Sequence, residues 1–76
     1  MKTARTVCYE ILREILRTER QFNAKEYRIL ASQKVIDLFL DEESASLTQL
    51  TDFIGKPISM QVETAYMQEQ YDVILV

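Results

Sequence analysis

The sequence predicts an α+β fold in the order helix, strand, helix, helix, strand, strand, with a three-stranded sheet and the helices packed on one of its faces. Three observations predict it. Apolar residues recur at spacings of three and four between Val7 and Leu16, apolar and polar residues alternate strictly around Met60, and the segment from Tyr71 to Val76 is almost wholly apolar.

Taken in order, the first helix runs from Thr6 to about Phe22. Val7, Cys8, Ile11, Leu12, Ile15 and Leu16 form its apolar stripe, while Glu10, Arg13, Glu14, Arg17 and Arg20 take the other positions. Thr6 suits an N-cap, and Asn23 suits a left-handed exit because its short amide tolerates that backbone region. Lys25 to Ala31 alternates around Tyr27 and Ile29 and reads as a short strand. Ser32 then caps a second helix carrying Val35, Ile36, Phe39 and Leu40, which ends near Asp41.

Asp41 to Ser46 is charged and rich in small residues, hence a loop, and Ser46 with Gln49 matches a capping box. A third helix therefore starts at Leu47, buries Leu47, Leu50, Phe53 and Ile54, and is stopped by Gly55, Lys56 and Pro57. Ile58, Met60 and Val62 alternate with Ser59, Gln61 and Glu63, the period of a strand with one wet face. Thr64 to Gln70 is a loop too long for a tight hairpin. Tyr71 to Val76 is a strand apolar on both faces, so the expectation is that it pairs with its predecessor as a hairpin and lies in the middle of the sheet.

With 76 residues the chain is one domain, and 47% hydrophobic against 28% charged residues, with one Gly and one Pro, is the composition of a folded chain. No apolar run approaches the ~20 residues that cross a bilayer, and the N-terminal segment has no signal-peptide core, so a cytoplasmic location is expected. One Cys forms no internal bridge. With no His there is no His/Cys metal set and no Ser-His or Cys-His nucleophile pair, so no catalytic, cofactor-binding or metal residue is assigned. Charge is polarised. Residues 1 to 30 carry seven of the nine bases and four acids, a net of +3, whereas residues 31 to 76 carry Lys34 and Lys56 against eight acids, a net of −6.

Two candidate sets emerge. Arg13, Arg17 and Arg20 share a helix face, and with Lys25 and Arg28 they form a candidate RNA contact. Against it, Glu10 and Glu14 are placed to pair with Arg13 and Arg17 at i,i+3, roughly 0.2–0.5 kcal/mol each, which favours an ordinary solvated face. Ile58, Met60, Val62, Tyr66, Met67 and Tyr71 are the candidate interface, being strand and loop residues of types enriched where proteins meet. Cys8, on the apolar stripe, reads as a core residue, and Asp41, Glu42 and Glu43 lack the spacing of a calcium loop and read as solvated.

Particular pieces also carry a family resemblance: Thr6-Val-Cys-Tyr-Glu-Ile, Arg13-Glu-Ile, Ala31-Ser, Glu43-Ser-Ala-Ser-Leu47, Phe53-Ile-Gly-Lys56 and Glu69-Gln-Tyr-Asp-Val73. In this order they resemble the C-terminal end of the ribonuclease E/G family, nearer its G branch. The resemblance implies a segment of a larger chain, following a Cys-Pro-x-Cys link through which two chains share a structural zinc ion. The magnesium-binding aspartates of the nuclease site lie further upstream, so no catalytic residue carries over. It also implies a C-terminal oligomerisation or structural domain of a cytoplasmic endoribonuclease that processes ribosomal and messenger RNA. RNA is then the parent's substrate, and a homo-oligomer forms through the parent chain. The alternative is a small KH-like RNA-binding module, since strand, helix, helix, strand is the core of that domain. However, the turn Glu42-Glu43-Ser44-Ala45-Ser46 has no Gly-x-x-Gly to approach a nucleic-acid backbone.

Overall fold

The structure, a computed structural model, describes residues 2–76. Six elements follow one another in the expected order: α1 (Ala4–Gln21), β1 (Tyr27–Ala31), α2 (Gln33–Leu40), α3 (Ser44–Ile54), β2 (Ile58–Val62) and β3 (Tyr71–Leu75). Among the described residues, no helix is long and apolar enough to cross a membrane.

Helix α1 starts earlier than its periodicity suggests. The cap is Thr3, whose hydroxyl accepts from the Thr6 N–H at 3.1 Å, so the expected cap Thr6 is the recipient of capping and not its source. Its exit differs too. Phe22 leaves in an extended conformation, no residue other than glycine has positive φ among those described, and the Asn23 side chain instead accepts from Lys56 Nζ at 3.0 Å. Helix α2 starts behind Ser32 as expected, but the serine hydroxyl makes no capping hydrogen bond and is buried without a partner among the described residues. Helix α3 begins at Ser44 behind Glu43 without the Ser46/Gln49 capping box, because the chain turns straight from α2 into α3 through Asp41–Glu43. Its end is as read: Gly55 takes the left-handed position with φ 70°.

The largest correction concerns the sheet. The strand order is β2-β1-β3, so β1 is central and the terminal strand β3 is an edge. β2 runs parallel to β1 and β3 antiparallel to it, so β2 and β3 do not form a hairpin. Both flanking strands meet the Ala31 end of β1, Val62 on one side and Tyr71 on the other, and residues 63–70 must cross that end. Reaching over a central strand means covering about two strand spacings, close to 10 Å, which a tight turn cannot do and this connection can. The Glu63 N–H anchors the crossing on the Ala31 carbonyl at 2.8 Å.

Register sorts the side chains. Tyr27, Ile29 and Ala31 are fully buried, whereas Arg28 is exposed and Leu30 half-buried. Ile58, Met60 and Val62 align with the buried residues of β1 on one side, and Leu75, Val73 and Tyr71 on the other. This face meets Val7, Cys8, Ile11 and Ile15 of α1 and Val35, Ile36 and Phe39 of α2 in one core. The molecule is therefore two layers, and the second face of the sheet carries no helix. Helix α3 is a lighter addition: it contributes no fully buried residue, packs Leu47, Leu50 and Ile54 against the core, and leaves Phe53 77% exposed.

Candidate functional site

The outward face of α1 holds Arg13, Arg17 and Arg20, all exposed and opposite the buried stripe. Arg13 and Arg17 line an open depression of about 520 Å³ shared with Lys2, Tyr9, Glu10, Glu14 and Tyr71. Glu14 lies 4.0 Å from Arg17, as the i,i+3 spacing suggests, but Glu10 turns to Lys2 at 2.8 Å and leaves Arg13 without an ion pair among the described residues. The same carboxylates act on Tyr71, whose hydroxyl pKa is raised first by burial and then by Glu10 and Glu14. This depression mixes both signs and is a poor seat for phosphate.

The remaining two candidate RNA contacts lie elsewhere. Lys25 sits at the foot of β1, its N–H donating to the Val76 carbonyl at 2.9 Å, and Arg28 projects from the bare face of the sheet. The helices lie between the α1 arginines and that face, so the five cations do not converge on one surface.

The candidate interface residues are divided as well. Ile58, Met60, Val62 and Tyr71 are half-buried and turned toward the helices, where they pack on the core; they do not make an outward apolar sheet surface. Tyr66 uses its hydroxyl on the Asp72 carboxylate, and Met67 at the tip of the crossing loop is 74% exposed. What sequence reasoning missed is the set of opposite parity. Arg28 and Leu30, Ser59 and Gln61, and Asp72 and Ile74 share the uncovered face. The signal was present in the alternation of β1 and β2, but not the knowledge that β3 flanks β1.

Two polar arrangements hold the helices in place, one partly buried and one at the surface. Tyr27 spans from the sheet to α1, donating to Glu19 Oε2 at 2.5 Å, and Lys56 holds the other Glu19 oxygen at 2.6 Å. Lys56 and the tyrosine hydroxyl keep the Glu19 pKa below its ordinary value, while burial and then Glu19 push Tyr27 up to about 12. At the opposite end Asp41 and Glu42 are exposed as their composition suggests, Glu42 pairing with Arg5 at 2.6 Å, whereas Glu43 departs from that reading and is buried. Glu43 acts on two neighbours: it raises Tyr9, and it adds to the burial that pushes Cys8 up to about 11, while its own Oε1 is buried without a hydrogen-bond partner among the described residues.

Among the described residues no group of three or more His, Cys, Asp or Glu side chains is placed to hold a metal ion.

Along 99% of its length the chain aligns with ribonuclease G of Escherichia coli K12 and of Salmonella typhimurium, at 41% identity and over 15% of each relative. Ribonuclease G of Haemophilus influenzae is also 41% identical, over 99% of this chain and 16% of its own length. No family model matches the chain. The resemblance drawn from the residue pieces therefore holds: the chain is similar end to end to one segment of ribonuclease G, and spans about 15% of the length of the relatives it matches.

Proposed function

We propose, from that end-to-end similarity to one segment of a ribonuclease, that this chain is a C-terminal assembly and structural domain of a ribonuclease G-like protein that processes ribosomal and messenger RNA. The endonuclease chemistry, its magnesium and the shared zinc belong on this reading to other parts of the parent. RNA is the parent's substrate, and a homo-oligomer in the cytoplasm is its working form.

The observation that carries the assembly role is the uncovered sheet face. Leu30 and Ile74 sit there on adjacent strands, framed by one base, Arg28, and one acid, Asp72. A face carrying both signs is self-complementary under a two-fold axis, because Arg28 of one copy can meet Asp72 of the other while the aliphatic side chains close between them. The KH-like alternative gains nothing from the geometry. The turn between α2 and α3, where that mode brings the RNA backbone close, carries Asp41, Glu42 and a buried Glu43, whose charges repel phosphate.

Sedimentation equilibrium over a wide concentration range tests the reading. The expected result is a mass above the monomer that Ile74→Glu lowers toward it, with an unchanged far-ultraviolet spectrum. Arg28→Asp weakens association, and adding Asp72→Arg to it restores the attraction. A wild-type chain that stays monomeric at every concentration overturns the proposal.

A further inference from the structure

The turn joining α1 to β1 has a composition unlike the rest of the surface. Phe22 is the C-cap of α1, and its ring is 58% exposed in a position where nothing in the core calls for an aromatic side chain. Arg20 precedes it in the last helical turn and Lys25 follows it, both exposed, and Arg28 comes next along β1. None of these three cations makes an ion pair among the described residues, whose pairs are Lys2–Glu10, Arg5–Glu42, Arg17–Glu14 and Lys56–Glu19.

The neighbouring acid is already engaged. Glu19 is held by Lys56 at 2.6 Å and by the Tyr27 hydroxyl at 2.5 Å, which leaves the half-buried Glu26 as the other acid of this stretch. The turn is also held firmly. Phe22 N–H donates to the Thr18 carbonyl at 2.8 Å, Lys25 N–H to Val76 at 2.9 Å, and Lys56 reaches Asn23 at 3.0 Å. An exposed ring on a fixed backbone, flanked by unpaired cations, is the arrangement that stacks an unpaired base and holds the phosphates on either side of it.

We infer that this turn is a contact for single-stranded RNA, with the Phe22 ring stacking on one base and Arg20 and Lys25 on the adjoining phosphates. The α1 positions Arg13 and Arg17 stand outside it, beside Glu10 and Glu14. The choice of RNA as partner rests on the reading that the parent acts on RNA, but the contact itself is separate from assembly.

The test is a fluorescence-anisotropy titration of the whole chain with a labelled oligouridylate of about ten nucleotides, within the site sizes such surfaces cover. The expected result is binding at low salt whose log affinity falls against log salt with a slope of about −1.4, two phosphate contacts at ~0.7 each. Phe22→Ala lowers affinity by about five-fold or more, the lower bound for one base stack, while Phe22→Tyr retains it. Arg20→Ala or Lys25→Ala flattens the slope by ~0.7. Absence of binding at low salt, an unchanged affinity in Phe22→Ala, or a larger loss from Arg13→Ala than from Lys25→Ala would each overturn the inference. Sedimentation reads assembly alone and RNA cleavage by the parent reads its activity, so failure at this turn is distinguishable from failure of either.

Discussion

Tyr27 ties the centre of the sheet to α1 and, through Glu19, to the Lys56 turn. Its folded-state pKa of about 12 stands above the ordinary value of 10.0 because the neutral phenol is buried and donates to a carboxylate. The proton is bound more tightly in the folded chain than in the unfolded one. This contribution is therefore complete below about pH 10 and is lost as pH rises toward about 12. Cys8 acts in the same direction, from 9.0 to about 11, with burial as the leading cause. Urea midpoints measured from pH 8 to pH 12 should fall through this window, and Tyr27→Phe should flatten the upper part of the fall. At neutral pH that substitution costs on the order of 1 kcal/mol for one hydrogen bond. The buried Cys8 thiol should react with a thiol reagent only as fast as the chain opens, and a rapid reaction in the folded state would contradict its place in the core. Cys8 was legible from its position on the apolar stripe. The Tyr27–Glu19–Lys56 bridge was not, because it joins residues from α1, β1 and the turn after α3 whose closeness is a tertiary fact.

At the scale of elements, local signals worked where they were covalent or steric. Gly55 is the clearest case: it sits at φ 70°, and a Cβ built there meets nothing within 4 Å. Gly55→Ala therefore pays only for the left-handed backbone, about 1–2 kcal/mol, with no packing clash. Chemical denaturation should show that loss, and Gly55→Asn a smaller one, since asparagine tolerates this region better. A loss well above that range would mean that the turn supports more than its own backbone. Caps were less legible. Thr3, Thr6 and Asn23 are all of suitable type, and only the geometry of α1 decides that Thr3 caps and that Asn23 serves Lys56 instead. The order of strands failed for a physical reason. The apolar run from Tyr71 to Val76 looks like a central strand, but Tyr71, Val73 and Leu75 face the helices while Asp72 and Ile74 lie on the bare side. β1 is central even though it carries Arg28, because a sheet covered on one face alone lets its central strand turn a charged side chain outward.

For the molecule as a whole, this distribution of burial implies unequal local stability. β1 is hydrogen-bonded on both sides and presents Tyr27, Ile29 and Ala31, all fully buried, to the core. α3 has no fully buried residue and leaves Phe53 in water, so detaching it sacrifices only the partial burial of Leu47, Leu50 and Ile54. Segments with few buried apolar contacts open at lower free energy than the core they lie on. Native-state hydrogen exchange should therefore show the β1 amides exchanging only by global unfolding, with a steep dependence on denaturant. The α3 amides should exchange through a smaller opening with a shallow dependence, merging with β1 as denaturant rises. Glu43 sets the boundary between the two behaviours, because it is buried at the start of α3 and acts on Cys8 and Tyr9 of α1. Glu43→Ala should lower the protection of α3 while leaving the order of protection in the sheet unchanged. Identical exchange free energies in α3 and β1 would mean that the three helices and the sheet form one cooperative unit, in which α3 is stabilised by more than the area it buries.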